Sequence, residues 1–176
     1  MEITDLRIDD RPSPNFTERR GTDRPDMVVL HYTGMESAEA AILRLSDPGP
    51  EVSAHYLIAE DGTVTRMVAE EMRAWHAGAS RWGEITDVNS HAIGIELANP
   101  GHHFGYPPFP APQMAALEVL LAAILARWEI APDRVVGHEH VAPGRKIDPG
   151  EKFDWLRLAR QGLAAWPIVD PDQAGV

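Results

Sequence analysis

Short apolar runs separated by polar turns predict a set of buried strands along this chain. Three of these runs are dense enough in Val, Ile and Leu to favour central strands of a sheet: Met27–His31, Ala92–Leu97 and Val135–Gly137. A fourth region predicts a hairpin, because Ser53–Ile58 and Thr63–Val68 flank the turn-forming pair Asp61-Gly62.

Helical periodicity appears between the predicted strands. Apolar residues recur at steps of three and four over Pro112–Trp128, and Pro112 suits the first helical turn. Ser37–Leu45 is also helical in character, with Ser37 as its predicted N-cap, and Phe153–Leu163 predicts a last helix. Since strands and helices alternate, we expect an α/β fold: a single domain with a central mixed β-sheet covered by helices.

The length of 176 residues suits one compact domain. We predict an N-terminal arm at residues 1–26, rich in Pro and Arg and packed on the domain. The main folded domain is predicted at 27–167. The remaining residues, 168–176, are predicted to form a flexible tail.

The charge balance limits the choice of partners. There are 27 acidic residues against 16 Lys and Arg, a formal net charge of -11. Such a surface repels nucleic acid and anionic lipid, so we expect neither as a partner. The chain has no cysteine, its first residues are polar, and the apolar stretch at 114–128 is interrupted by Glu118 and Arg127. We therefore expect a cytoplasmic, monomeric protein.

Two histidines and an aspartate are candidate metal ligands. His31 and His138 each end a predicted strand, and Asp148 lies in a loop rich in Pro and Gly. Two imidazoles and one carboxylate form an open zinc site, in which the metal activates water and polarises an amide carbonyl. In an extended segment His140 shares a face with His138, so spacing alone leaves either as the ligand.

Glu96 and Lys146 are candidate catalytic residues. Glu96 closes an otherwise apolar strand, where a carboxylate is either exposed at the strand tip or kept as a general base. Lys146 lies two residues before Asp148 and is one of only two lysines, against fourteen arginines. A compact ammonium can stabilise an oxyanion that a planar guanidinium would not fit equivalently. Trp75, next to His76, could line a sugar-binding cleft.

Several segments together resemble the type 2 N-acetylmuramoyl-L-alanine amidases, which are related to the peptidoglycan recognition proteins. The resemblance covers roughly residues 11–167 and is closest to the AmpD- and AmiD-like members. The segments that carry it are VVLHYTG at 28–34, EVSAHYLIAEDGTV at 51–64, RAWHAGAS at 73–80, IGIELANPG at 93–101, GH at 137–138 and APGRKIDPGEKFDW at 142–155.

This resemblance implies a function and a set of site residues. It implies Zn²⁺ held by His31, His138 and Asp148 in a cleft at one side of the sheet. It makes Glu96 the catalytic base and Lys146 the group that stabilises the tetrahedral intermediate. The implied reaction is hydrolysis of the amide between N-acetylmuramic acid and L-alanine in peptidoglycan fragments, in muropeptide recycling.

The resemblance also places Trp75, His76 and the loop after Glu96, including Asn99, along the muropeptide-binding cleft. One departure is His140, where members of the family usually carry an acidic residue. That exchange leaves the ligand assignment standing and affects only contacts around the ligands.

The alternative function is a non-catalytic module that binds peptidoglycan or muropeptides. It would require loss of a metal ligand or of the base, and the chain retains all five candidate residues. A glycosidase would need a second carboxylate beside Glu96, and only the proposed ligand Asp148 is available.

Overall fold

The computed structural model describes residues 3–167, and the tail predicted at 168–176 lies outside them. Within this range there are eight strands: β1 (Ile8–Asp10), β2 (Phe16–Glu18), β3 (Met27–Tyr32), β4 (Tyr56–Ile58), β5 (Val64–Arg66), β6 (Met72–Ala74), β7 (Ala92–Leu97) and β8 (Val135–Gly137). The same range contains five α-helices: α1 (Ala38–Ser46), α2 (Val88–His91), α3 (Ala111–Trp128), α4 (His138–Val141) and α5 (Trp155–Arg160).

Six strands form one mixed sheet in the order β1-β5-β4-β7-β3-β8. Strands β4, β7, β3 and β8 run parallel to one another, whereas β5 pairs antiparallel with β4 through the predicted hairpin. The edge strand β1 pairs parallel with β5, and β2 with β6 forms a separate antiparallel ribbon. The prediction of a single domain with a mixed sheet covered by helices is confirmed.

Strand alternation separates the two faces of this sheet. Val28 and Leu30 on β3 belong to the larger apolar cluster, which α3 covers with residues from Met114 to Leu125. Met27 and Val29 point the opposite way, into a smaller cluster that includes Val88 of α2. His31 continues this second face, so the alternation itself directs His31 away from the main core.

The longest helix, α3, is a core element. Its 18 residues have a mean hydropathy of 1.3, enough in length and composition to cross a membrane. Here, however, its apolar face packs against the sheet, with Leu117, Leu121 and Ile124 wholly buried. Helix α1 begins as predicted, with the Ser37 hydroxyl accepting a hydrogen bond from the Ala40 N–H.

The last helix is shorter than the predicted Phe153–Leu163. It starts only at Trp155, because the Asp154 carboxylate caps it by accepting the Arg157 N–H, while Phe153 is buried in the core before the helix begins. It ends at Arg160, since the chain turns through Gly162 at a φ of 70°.

The N-terminal segment contributes strands that its composition did not predict. β1 and β2 are each three residues long and largely exposed, so they lack the apolar signal of a buried strand. Polar contacts hold this segment: Arg66 forms two hydrogen bonds with Asp10, and Arg19 donates to the carbonyls of Glu70 and Ser90. The division into an arm and a catalytic domain at residue 26 stays a prediction.

Candidate functional site

Three parallel strands deliver side chains to one edge of the sheet. In the register of β3 with β7, His31 lies opposite Glu96. In the register of β3 with β8, Leu30 lies opposite Gly137, so His138 follows directly beside His31. Because parallel strands end at the same edge, this is where an α/β sheet presents its functional groups.

His31, His138 and Asp148 form a buried triad at this edge. The two Nδ1 atoms lie 2.9 Å apart, and Asp148 Oδ2 lies 3.1 Å from each of them. The three residues are 1%, 3% and 7% exposed. They form the one His, Asp or Glu set within residues 3–167 whose geometry suits a metal ion. The structure therefore brings together the three ligands that the sequence predicted.

The hydrogen-bonding pattern of the triad calls for a cation. His138 Nε2 lies 3.0 Å from the Ala77 carbonyl oxygen, which can only accept, so this nitrogen carries the proton and Nδ1 keeps its lone pair. Burial lowers the pKa of His31 to about 4, so its ring is neutral. The Asp148 carboxylate oxygen that meets both rings is likewise an acceptor. Acceptor atoms thus face one another at contact distance.

The spacing also fits a tetrahedral metal. Bonds of about 2.0–2.1 Å place the ligand atoms of a tetrahedral zinc ion about 3.3 Å apart. The triad distances of 2.9–3.1 Å are close to this value, and the three atoms form a nearly equilateral triangle. Three protein ligands leave one position free, which is the arrangement of a catalytic site rather than a structural one.

His140, the alternative ligand left open by spacing, is directed elsewhere. Its Nδ1 accepts the Gly137 N–H at 2.9 Å, and its ring packs 5.4 Å from that of Trp155. The segment after Gly137 is the short helix α4 and not an extended strand, so His138 and His140 do not share a face.

The triad opens on a cleft of about 470 Å³ that also contains Glu96 and Lys146. Glu96 is not a solvated strand tip: its Oε2 is buried and has no hydrogen-bond partner among the described residues. Burial, reinforced by the charge of Asp148 and opposed by Lys146, raises the pKa of Glu96 well above its ordinary value. A carboxyl group in this state is suited to accept a proton near neutral pH.

The cleft wall carries more cationic than acidic side chains. Arg44, Arg145 and Lys146 all line it, and Glu96 and Asp148 are its only acidic residues within the range 3–167. This local balance is opposite to the net charge of the chain. Arg145 lies beside Lys146 in the quoted segment 142–155 and could have been found from it. Arg44 lies on α1, where the pattern gave no sign of which residues face the cleft.

Trp75 and His76 line the cleft, where the resemblance placed them. Two of their ring nitrogens, Trp75 Nε1 and His76 Nε2, are buried without a hydrogen-bond partner within the described range. Buried polar atoms of this kind are unusual, and together with Glu96 Oε2 they cluster at this cleft. His76 has a second contact, since its Nδ1 lies 3.0 Å from His31 Nε2.

Asn99, whose role in substrate binding stays a prediction, lies apart from the cleft lining. It is 2% exposed and does not line the cleft. Its amide is used within its own loop: Nδ2 donates to the Pro107 carbonyl, and Oδ1 accepts the Gly101 N–H, both at 2.9 Å. A short amide after a strand often ties down the following loop in this way, and sequence alone does not separate that role from ligand binding.

A buried His-His-Asp set that opens on a cleft with a carboxylate and an ammonium is typical of metal-dependent hydrolases. The chain belongs to the Amidase_2 family, described as N-acetylmuramoyl-L-alanine amidase, which matches residues 21–151. The predicted relationship to type 2 amidases of the AmpD and AmiD kind is thereby confirmed.

Individual relatives agree with this assignment. The chain is 43% identical over 163 residues to the 1,6-anhydro-N-acetylmuramyl-L-alanine amidase AmpD of Haemophilus influenzae, covering 82% of this chain and 86% of AmpD. It is 38% identical over 156 residues to the N-acetylmuramoyl-L-alanine amidase AmiD of Escherichia coli, covering 82% of this chain but only 55% of AmiD.

A solved structure of E. coli AmiD, in complex with the substrate anhydro-N-acetylmuramic acid-L-Ala-D-gamma-Glu-L-Lys, superimposes with a TM-score of 0.74. The sequences are 35% identical, and the match covers 91% of this chain and 70% of that one.

Proposed function

We propose that this protein is a zinc-dependent N-acetylmuramoyl-L-alanine amidase that hydrolyses the amide between N-acetylmuramic acid and L-alanine in soluble muropeptides. The observation that carries the proposal is the meeting of the metal triad, Glu96 and Lys146 in one cleft. The names of the AmpD and AmiD relatives, and the muropeptide bound in the AmiD complex, support the choice of substrate.

His31, His138 and Asp148 would hold Zn²⁺ through Nδ1, Nδ1 and Oδ2. When bound there, zinc supplies Lewis-acid chemistry suited to amide hydrolysis. The protein's contribution is to keep these three atoms within about 3 Å of one another and nearly shielded from solvent.

Glu96 moves the proton. Its buried carboxylate accepts a proton from the attacking water as the oxygen bonds to the amide carbon. The same proton then passes to the nitrogen of the leaving L-alanine as the C–N bond breaks. This cycle needs a carboxyl group whose pKa is high enough to hold the proton between the two steps, which the burial of Glu96 provides.

Lys146 stabilises the charge that develops on the carbonyl oxygen. Its backbone N–H donates to the Ala142 carbonyl at 3.0 Å, which fixes the turn that presents the side chain to the cleft. A positive charge placed where the tetrahedral intermediate becomes negative lowers the barrier more than it strengthens substrate binding.

The cleft walls suit the two halves of a muropeptide. Trp75 offers an aromatic face to the sugar. The γ-linked glutamate of the compound bound by AmiD keeps a free α-carboxylate. Arg44 and Arg145 give this cleft the positive charge to attract such a peptide. His76 contributes its ring to the wall.

We further propose that the protein acts as a monomer in the cytoplasm on recycled fragments. The support is the net charge of -11, which disfavours approach to the anionic wall polymer. The name of the AmpD relative, a 1,6-anhydro-muramyl amidase, points to the same class of fragment.

The experiment is mass spectrometry of the products formed from a purified anhydro-muropeptide, combined with metal analysis of the protein. We expect release of the intact stem peptide and one zinc per chain. His31→Ala and His138→Ala should each lose both metal and activity, because two remaining ligands do not hold the ion. His140→Ala is the matched control, since His140 lies outside the triad.

Two results would overturn the proposal. If muropeptide bound tightly but no peptide were released by the zinc-loaded protein, the chain would be a binding module. If His138→Ala kept stoichiometric zinc while His140→Ala lost it, the ligand assignment would be wrong.

A further inference from the structure

The segment Trp75–Ala77 contacts both histidines of the triad on the side away from the metal position. The His76 ring places Nδ1 3.0 Å from His31 Nε2. The Ala77 carbonyl oxygen lies 3.0 Å from His138 Nε2. A stretch of three residues therefore meets the outer nitrogen of each imidazole.

These contacts decide which ring nitrogen carries the proton. The Ala77 carbonyl can only accept, so it fixes the proton of His138 on Nε2 and leaves Nδ1 free to bind metal. His76 does the same for His31 when its Nδ1 acts as acceptor. A neutral histidine ring has one acceptor nitrogen, and Nδ1 is the His76 nitrogen that meets His31.

The position of the His76 ring depends on a glycine. A Cβ on Gly94 of β7 would lie 2.5 Å from the His76 ring, so no side chain fits there. Gly94 lies on the same face of β7 as Glu96, two residues away. The His76 ring is therefore packed between the sheet and His31 and has little space to rotate.

Three side chains bond the backbone of this segment: Ser53 accepts the Trp75 N–H, Arg145 donates to the Ala77 carbonyl, and the buried Asn89 holds its centre. Asn89 Oδ1 accepts two hydrogen bonds, from the His76 N–H at 3.1 Å and from the Ala77 N–H at 2.8 Å. Asn89 is buried on α2, and it neither lines the cleft nor touches the triad. Its bonds orient the two peptide groups that flank residue 76, from which the His76 ring projects and which lead directly into residue 77.

We propose that Asn89 is a positioning residue for the metal site: by holding Trp75–Ala77, it makes both histidines present unprotonated Nδ1 atoms to the ion. This inference rests on the proposed function only in assuming that the triad binds zinc. Contacts to the outer nitrogen of metal-bound histidines typically change metal affinity by about 10–100-fold. Asn89 does not bond the ligands itself, but it holds the segment that contacts both of them.

The test measures zinc affinity of the full-length protein by competition with a chromophoric chelator. Asn89→Leu removes the acceptor at similar volume and should weaken zinc binding by about 10–100-fold. Asn89→Asp keeps two acceptor oxygens and should retain most of the affinity.

Gln113→Met is the matched control. Gln113 is another buried amide that ties two backbone groups, the carbonyls of Ile58 and Ala98, but it lies on α3. It should lower the melting temperature of the metal-free protein without changing zinc affinity.

A second readout follows the tautomers directly. Nitrogen-15 NMR of the metal-free protein should show His31 and His138 protonated at Nε2 in the wild type and mixed tautomers in Asn89→Leu. If Asn89→Leu fails to fold, Asn89→Ser, whose hydroxyl is too short to reach both N–H groups, takes its place in both measurements.

Two outcomes would overturn the inference: wild-type zinc affinity in the Asn89→Leu or Asn89→Ser protein, or an equal loss of affinity in Gln113→Met. Neither outcome depends on amidase activity. A wild type that binds zinc but releases no stem peptide would reject the proposed function and leave this inference standing.

Discussion

Replacement of Glu96 by Gln should separate catalysis from stability, because the carboxyl group of Glu and the carboxamide group of Gln are planar and of nearly the same size. Glu96 Oε2 is buried and has no partner in the described part of the chain, and burial raises the pKa of this carboxyl. Gln keeps the shape but cannot take up a proton. Loss of a general base typically lowers kcat by about 10²–10⁴-fold, or about 2.7–5.4 kcal/mol of transition-state stabilisation.

Although Glu96→Gln should lower activity, it should raise the free energy of unfolding of the metal-free protein near neutral pH. Since the folded-state pKa of Glu96 is raised, the native protein holds this proton more tightly than the unfolded chain does. The wild type therefore loses stability as the pH rises from the ordinary pKa of Glu through the raised folded value. Glu96→Gln has no such titration. In the metal-free state it should match the wild type in acid and become the more stable protein towards neutral pH.

Three measurements check this prediction: kcat on a defined muropeptide, zinc content, and urea denaturation of the chelator-treated protein across pH. We expect turnover to fall steeply, zinc content to stay unchanged, and the unfolding midpoint at neutral pH to stay equal or rise. Near wild-type turnover in a zinc-replete Glu96→Gln enzyme would refute the role of base. We would abandon the argument from burial if the stability of Glu96→Gln relative to the wild type fell between acid and neutral pH.

Three further predictions concern other parts of the molecule. Lys146→Ala should lower kcat with little change in KM, and Lys146→Arg should not restore the full rate; a fully active Arg variant would show that positive charge alone suffices. Glu70→Ala should lower the free energy of unfolding in urea by about 3 kcal/mol and leave kcat unchanged. The reason is that the substitution removes the buried hydrogen-bonding partner of Arg127, Tyr56 and Trp128; a loss below about 1 kcal/mol would contradict it. Initial rates should be higher on soluble muropeptide than on intact sacculi at low salt, and added salt should narrow the gap; equal rates at low salt would argue against recycling.

The same Glu70 cluster predicts part of the acid sensitivity of the fold. Burial opposes its charge, but hydrogen bonds from Arg127, Tyr56 and Trp128 hold the pKa of Glu70 below its ordinary value. A carboxylate with a depressed pKa stabilises the native state above the unfolded pKa, and this contribution is lost as the pH falls through the folded value. Glu70→Gln should therefore flatten the fall in unfolding free energy below about pH 4.

The sequence predicted the elements that have strong local periodicity. The strand at Ala92–Leu97 and the helix ending at Trp128 agree with the structure to within a residue, because their apolar residues recur regularly along the whole element. β1, β2 and β6 were not predicted. Each has three residues and is held by pairing with distant segments, and such pairing leaves no periodic signal.

Candidate site residues divide in the same way. His31 and Glu96 could be singled out because a polar residue near the end of an apolar strand is conspicuous. Asn89 and Arg44 could not, since each sits in a helix with unremarkable neighbours and acquires its role only through tertiary contacts. Asn99 shows the converse: its place after a strand is conspicuous in the sequence, whereas its amide bonds its own loop in the structure.

The three residues of the candidate metal triad are positioned in two different ways. His31 and His138 are positioned by the register of β3 with β8, and a slip of one residue would turn either side chain to the opposite face. Asp148 has no such constraint, because it lies in a loop. That loop is held instead by two bonds to its own backbone: the Glu139 N–H donates to the Asp148 carbonyl at 2.9 Å, and the Tyr106 hydroxyl donates to the Pro149 carbonyl at 2.6 Å. The sheet thus positions the two imidazoles, whereas the position of the carboxylate depends on a few separate contacts. Loss of the Tyr106 hydroxyl should therefore weaken metal binding through Asp148 and leave the histidine pair in place.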